Sequence, residues 1–104
     1  MSQVKLHTKQ DLLVALSANR EAIKSYGVNS LGFFGSFSKG TVNDQSDVDL
    51  LVDFVPEKKS FDNFMDLSFF LEDLFGRKVE IVTPQSLSKF IGPHILKEVQ
   101  HVSI

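Results

Sequence analysis

The segment 47–54, DVDLLVDF, is the feature that most constrains how this chain folds. Alternate side chains of a strand point to opposite faces, so the apolar residues at 48, 50 and 52 share one face and Asp47 and Asp49 share the other. Two carboxylates about 6.6 Å apart repel each other and resist burial unless a cation lies between them. The segment therefore predicts a core strand whose opposite face is either a solvated strand edge, the commoner case for this pattern alone, or a cation site.

A glycine-serine turn precedes this strand. Gly35 and Ser36 end the apolar stretch SLGFF, and such a turn exposes N–H groups and a hydroxyl that can donate to phosphate oxygens. Ten residues separate Ser36 from Asp47, which gives the pattern GSx10DxD between two apolar strands. Hard divalent cations such as Mg²⁺ bind carboxylates and keep positions for water and phosphate. The combined pattern indicates a site with metal ligands on one side and phosphate donors on the other.

The rest of the chain predicts an α/β fold, a small mixed β-sheet with helices packed on one face, in one domain spanning residues 1–104. Thr8 and Asp11 form a capping-box pattern, Ser60 is an expected N-cap, and Gly76 is an expected helix stop. Helices are expected over 8–26, 61–75, 84–91 and 94–102, and strands over 30–34, 47–54 and 78–82, with a loop or one helical turn over 38–46.

Composition excludes several function classes. The chain has 104 residues and no cysteine, which removes disulfides, thiolate catalysis and cysteine-ligated zinc. A net charge of −2 argues against a long nucleic acid as ligand. The first ten residues lack the apolar core of a signal peptide, and no run approaches the roughly 20 apolar residues of a membrane span. The sequence therefore predicts a cytoplasmic protein without a membrane partner.

The segment GFFGSFSKGTVNDQSDVDLLVDF resembles the signature of the minimal nucleotidyltransferases, short members of the DNA polymerase β-like nucleotidyltransferase superfamily. The downstream LFGRKVEIVTPQSL and PHILKEV are similar to the same group. The resemblance implies a palm-like nucleotidyltransferase core, with ATP as substrate and two Mg²⁺ ions as cofactors.

The resemblance also implies roles for three acidic residues. Asp47 and Asp49 match the paired metal-binding aspartates of the family. Glu80, in KVEIV, stands where the third carboxylate of the catalytic triad is expected and where related sequences usually have aspartate. Glu80 would help to bind the metal and accept the proton of an attacking hydroxyl.

Three further residues match the family's nucleotide-binding positions. Gly35 and Ser36 correspond to its phosphate-gripping turn, and Lys39 stands where arginine is common. Lysine keeps the positive charge but lacks the planar bidentate geometry of arginine.

The implied function is transfer of AMP from ATP to a protein acceptor. In the two-gene systems that the family resembles, the acceptor is a HEPN-domain toxin and the nucleotidyltransferase is the antitoxin. The alternative is a binding module with the same fold that neutralises its partner by occlusion, suggested by Glu80 and by the phenylalanine-rich segment 61–75. A portion of those phenylalanines is expected to form a partner surface, while most form the core. The sequence leaves homo- or hetero-oligomerisation open, and transfer to an antibiotic is disfavoured because such relatives carry an additional substrate domain.

Overall fold

The computed structural model describes residues 5–43 and 45–104, which contain five α-helices and four β-strands. The helices are α1 (Lys9–Ala18), α2 (Arg20–Ser25), α3 (Ser36–Lys39), α4 (Phe61–Phe75) and α5 (Gly92–Glu98). The strands are β1 (Val28–Phe34), β2 (Val48–Phe54), β3 (Val79–Val82) and β4 (Gln100–Val102), and short 3-10 turns cover Pro56–Lys58 and Pro84–Ser86. Within the described residues, no helix is long and apolar enough to span a membrane. Residues 1–4 of the expected leaderless N-terminus and position 44 of the expected loop lie outside this description.

The four strands form one mixed sheet in the order β3-β2-β1-β4. β1 pairs antiparallel with β2 and with β4, whereas β2 and β3 run parallel and are connected through α4. The predicted α/β fold with a small mixed sheet is confirmed. This order places β1 and β2, which carry the glycine-serine turn and the aspartates, side by side in the middle of the sheet.

The core lies on one face of the sheet. The apolar face of β2 is fully buried, with Val48, Leu50 and Val52 all 0% exposed. Helices α1 to α4 cover it with buried side chains that include Leu12, Leu16, Ile23, Phe37, Leu67 and Leu71. Burial of this face fixes the strand's register, because a shift by one residue would bring Asp49 into the core.

Helix α4 has the predicted bounds because local signals set both of its ends. The Ser60 hydroxyl accepts a hydrogen bond from the Asn63 N–H at 3.1 Å, and Gly76 ends the helix in the left-handed conformation at φ +64°. Its phenylalanines divide as expected: Phe75 is buried, whereas Phe61 and Phe69 are 77% and 59% exposed. That the exposed phenylalanines form a partner surface stays a prediction.

The predicted N-terminal helix is two helices. Thr8 and Asp11 form the expected capping box at the start of α1. The helix then ends at Asn19, whose side-chain amide donates to the Ala15 carbonyl at 2.8 Å. This bond competes with the backbone pattern of a continuing helix, and α2 begins at the next residue.

The C-terminal predictions were wrong in two places. The expected helix over 84–91 is only the 3-10 turn Pro84–Ser86, and α5 begins at Gly92, a residue expected to interrupt a helix. The expected helix over 94–102 ends at Glu98, and the last residues form β4. The free edge of β1 explains the strand, since pairing there satisfies backbone groups of both strands and buries Val102 against the core. Helix α5 borders the face of the sheet opposite the core.

Arg77 stabilises the loop that leads into β2 through hydrogen bonds to its backbone. Its guanidinium donates to the carbonyls of Asn43 at 3.2 Å, Ser46 at 2.9 Å and Leu6 at 2.9 Å, and lies over the Phe37 ring at 5.7 Å from the centroid. One side chain thus joins the N-terminal segment to the loop before Asp47.

Replacement Arg77→Lys keeps the charge but loses the planar fork that reaches three carbonyls. We expect the free energy of unfolding, measured by urea denaturation, to fall by about 2 kcal/mol. The matched control is Arg20→Lys at an exposed position of α2, which should change it by less than about 0.5 kcal/mol. Equal effects of the two replacements would show that the hydrogen bonds of Arg77 do not stabilise the fold.

Candidate active site

Asp49 and Glu80 lie side by side at the end of the sheet where β2 and β3 begin. Asp49 points away from the core and is half-buried, and its register partner on β3 is Glu80, which is exposed. Register partners on adjacent strands lie about 4.8 Å apart, so these side chains share one face. Asp47 is exposed and comes immediately before β2. The structure therefore places Asp49 beside Glu80, with Asp47 at the adjoining start of β2, and the metal-binding role of the three carboxylates stays a prediction.

The glycine-serine turn lies directly against Asp49. Phe34, the last residue of β1, is the antiparallel partner of Asp49, so the chain turns at Gly35 beside the carboxylate. Gly35 has φ +72°, and a β-carbon at this position would clash with Asp49 Oδ2. Only glycine fits both the conformation and the contact. Half-buried Ser36 begins α3, and Lys39 ends it with a side chain that is 62% exposed.

The electrostatic environment of Asp49 favours a cation. Burial, followed by the negative charges of Glu80, Asp47 and Glu98, raises the pKa of Asp49 from 3.8 to about 6, against a smaller lowering by Lys78. The ionised carboxylate is thus costly in the metal-free protein. A bound cation would remove this cost.

The donor set fits a hard divalent cation in charge and chemical type, because every ligand available is a carboxylate oxygen. Among residues 5–43 and 45–104, however, no three His, Asp or Glu side chains are already arranged around a common metal position. The rotamers of the exposed Asp47 and Glu80 would have to change for these side chains to share a cation with Asp49.

The sequence of this chain is similar to those of known nucleotidyltransferases over most of its length. The family model described as "Nucleotidyltransferase domain" matches residues 16–102. Protein adenylyltransferase MntA of Thermococcus cleftensis is 36% identical over 91% of this chain and 96% of its own length. This chain belongs to the nucleotidyltransferase domain family. It is a nucleotidyltransferase, as the sequence analysis predicted.

Solved structures support the fold of this nucleotidyltransferase. One described as a minimal nucleotidyltransferase is 34% identical, with a TM-score of 0.68 over 85% of this chain and 93% of that chain. A toxin–antitoxin structure with AMP-PNP is 19% identical, with a TM-score of 0.63 over 91% of this chain and 72% of that chain. At that identity the second likeness concerns the fold alone.

Glu98, at the end of α5, is a site residue that the sequence analysis missed. Its Oε1 accepts a hydrogen bond from the Gly35 N–H at 3.1 Å, and its Oε2 lies 3.7 Å from Lys39 Nζ. No local sequence signal links it to the turn, because 63 residues separate Glu98 from Gly35. Only the pairing of β4 with β1 brings it there.

A cavity of about 310 Å³ adjoins Glu80 on the same face of the sheet. Its walls are mainly apolar side chains, with two serines on the segment after β3. The lining residues are Phe34, Glu80, Val82, Ser86, Leu87, Ser88, Ile91 and Ile95. The carboxylate site therefore opens onto a space that can hold an additional side chain.

The contact between Gly35 and Asp49 can be tested with a matched pair of alanine substitutions. Gly35 and Gly40 flank α3 with φ +72° and +77°, but a β-carbon at Gly40 meets nothing within 4 Å. Gly40→Ala should cost about 1 kcal/mol for its left-handed backbone. Gly35→Ala should cost at least about 2 kcal/mol more, because its backbone, with φ +72° and ψ −142°, is essentially restricted to glycine and because a β-carbon would displace the carboxylate. Urea denaturation measures the difference, and equal losses would contradict the contact.

The raised pKa of Asp49 predicts how stability depends on pH. An acid whose pKa is higher in the folded than in the unfolded state stabilises the fold at low pH and loses this contribution as the pH rises. With EDTA present, the wild type should lose stability between about pH 4 and pH 7. Because Asp49→Asn does not ionise, this variant should be more stable than the wild type at pH 7.5 by about 1–2 kcal/mol, a value reduced for solvent screening.

The control for this measurement is Asp53→Asn, the same chemical change at the other end of β2. It should leave the pH dependence of the free energy of unfolding as in the wild type. A lower stability of Asp49→Asn than of wild type at pH 7.5 without metal would show that the ionised carboxylate is not destabilising.

Proposed function

We propose that this nucleotidyltransferase transfers AMP from ATP to a protein acceptor, a HEPN-domain toxin, and acts as the antitoxin of that partner. The observation that carries the proposal is the position of Asp49, paired with Glu80 across two strands and pressed against the Gly35 turn. The similarity to a protein adenylyltransferase and to a toxin–antitoxin structure with AMP-PNP supports ATP as donor and a toxin as acceptor. A cytoplasmic location suits both.

The turn would bind the triphosphate. Ser36 supplies a hydroxyl donor and Lys39 a mobile positive charge at the surface, both suited to phosphate oxygens. Gly35 has no side chain between the nucleotide and Asp49, so phosphates can approach the backbone closely.

The carboxylates would hold two Mg²⁺ ions through Asp47, Asp49 and Glu80. When bound, the metal ions stabilise negative charge that develops on the α-phosphate and on the leaving pyrophosphate. The mutual repulsion of these carboxylates, evident in the raised pKa of Asp49, supports a cation between them.

The transfer step balances with groups that the site supplies. The acceptor hydroxyl oxygen bonds to the α-phosphorus, and the bond from that phosphorus to the bridging oxygen of the β-phosphate breaks. Pyrophosphate leaves with the electron pair, and Glu80, which is exposed at the rim of the cavity, accepts the hydroxyl proton. The products are pyrophosphate and a protein carrying AMP on a hydroxyl, such as that of tyrosine.

The acceptor protein itself would complete the site. The cavity beside Glu80 is open to solvent on the part of the chain that the structure describes. A side chain of the partner entering that cavity would exclude water from the carboxylates and hold its hydroxyl near the α-phosphate.

The test is incubation of the purified protein with α-³²P-labelled ATP, Mg²⁺ and the product of the neighbouring gene. We expect label on the partner protein, a loss of at least about a hundredfold in rate for Asp49→Asn, and a rate within about twofold of wild type for Asp53→Asn. Omission of Mg²⁺ with EDTA present should abolish transfer. No labelling with folded components would overturn the proposal.

Neutralisation of the toxin separates catalysis from occlusion. If the double variant Asp47→Asn, Asp49→Asn binds the partner but no longer neutralises it, the catalytic function stands. Neutralisation by that variant as effective as by wild type would identify the protein as an occluding module instead.

A further inference from the structure

The turn that contains Gly35 is tied to the end of α5 by three contacts, all to one residue. The Gly35 N–H donates to Glu98 Oε1 at 3.1 Å, the Ser38 hydroxyl donates to the Glu98 backbone carbonyl, and Lys39 Nζ lies 3.7 Å from Glu98 Oε2. These contacts engage the first residue and the last two residues of the segment 35–39. Glu98 therefore contacts the turn at both of its ends and not at a single atom.

Asp49 confines the same turn from the other side. The backbone at Gly35 is so close to Asp49 that a β-carbon there would overlap its carboxylate. Between Asp49 on β2 and Glu98 at the end of α5, the turn has little freedom to move. The position of Glu98 thus determines how the turn faces the carboxylate.

Glu98 is itself firmly anchored. Two residues later, Gln100 is the register partner of Phe33 in the antiparallel pairing of β4 with β1. A β-carbon at Gly32 would come 2.8 Å from the Val99 side chain and 3.0 Å from the Gln100 carbonyl oxygen, so the backbone here packs closely on β1. Since the sheet fixes its neighbours, the backbone of Glu98 stays beside the turn while β4 remains paired.

We propose that Glu98 is a positioning residue that, through its hydrogen bond to the Gly35 N–H, holds the Gly35 turn in the orientation that binds the triphosphate. This inference rests on the proposed function. The opposite role is an intramolecular anion that competes with phosphate for the same donors. The anchoring of Glu98 in the sheet and its backbone bond to Ser38, which needs no carboxylate charge, favour positioning.

The test compares two replacements of Glu98 by their affinity for AMP-PNP with Mg²⁺, measured by isothermal titration calorimetry. Glu98→Ala removes the acceptor of the Gly35 N–H and should weaken binding about tenfold. Glu98→Gln keeps an oxygen acceptor and should bind within about threefold of wild type. Glu57→Ala, an exposed glutamate in the 3-10 turn Pro56–Lys58, is the control and should bind as wild type does.

A second readout is independent of nucleotide. Hydrogen–deuterium exchange of the segment 35–39 should be faster in Glu98→Ala than in wild type or Glu57→Ala, with the exchange of β2 and β3 unchanged. Unchanged exchange of this segment, or tighter AMP-PNP binding by both Glu98 variants, would overturn the positioning role. A loss in Glu98→Gln as large as in Glu98→Ala would overturn it too, because charge and not the hydrogen bond would then govern binding.

The outcomes also separate this inference from the function on which it rests. If the wild type labels its partner and Glu98→Ala binds AMP-PNP as tightly as the wild type, only the positioning role fails. If the wild type neither binds AMP-PNP nor labels the partner, the proposed function fails and the positioning role with it, whatever the exchange rates show.

Discussion

The opposition between the two faces of β2 is the constraint on which the rest of the structure depends. Its apolar side chains lie in the core and keep Asp49 on the other face, where burial and neighbouring negative charges together raise its pKa to about 6. Repulsion of this kind would favour movement of a carboxylate on a flexible loop. Asp49 cannot move away in this manner, because any shift of β2 would expose Val48, Leu50 and Val52 to water. Core packing thus maintains a charged arrangement that is unfavourable in the absence of a cation.

The parts that sequence reasoning predicted correctly are those whose causes are local. Ser60 and Gly76 set the ends of α4 through bonds within a few residues, and alternation alone orients Asp49. β4 could not be predicted in this way: Val99 and Val102 are spaced for a helix face, and the strand forms because β1 has a free edge. Glu98 was missed for the same reason, since its role depends on a contact that only the assembled sheet creates.

The distinction between local and long-range causes also explains why the segment after β3 was predicted incorrectly. Thr83 and Pro84 are a correct helix start in local terms, and a single 3-10 turn does form at Pro84–Ser86. Side chains of the segment that follows line the cavity beside Glu80, so its path is governed by the face of the sheet and not by helix propensity. A continuous helix would have been a regular structure, but the observed turns leave a space next to the carboxylates. The misjudged segment is thus the one that shapes the approach to the site.

The positions of Glu80 and Asp49 explain why a glutamate can replace the usual aspartate at position 80. Asp49 is fixed by the core beneath it and by Gly35 beside it, so it has no room for a longer side chain. Glu80 belongs to the outermost strand of the sheet, is exposed, and lies at the wall of the open cavity, where an extra methylene meets no such restriction. Its greater length lets the carboxylate reach from β3 towards Asp49 or towards a group in the cavity. A glutamate at this place is therefore compatible with both tasks proposed for it, the sharing of a cation and the acceptance of a proton, whereas the same replacement at Asp49 would displace the turn.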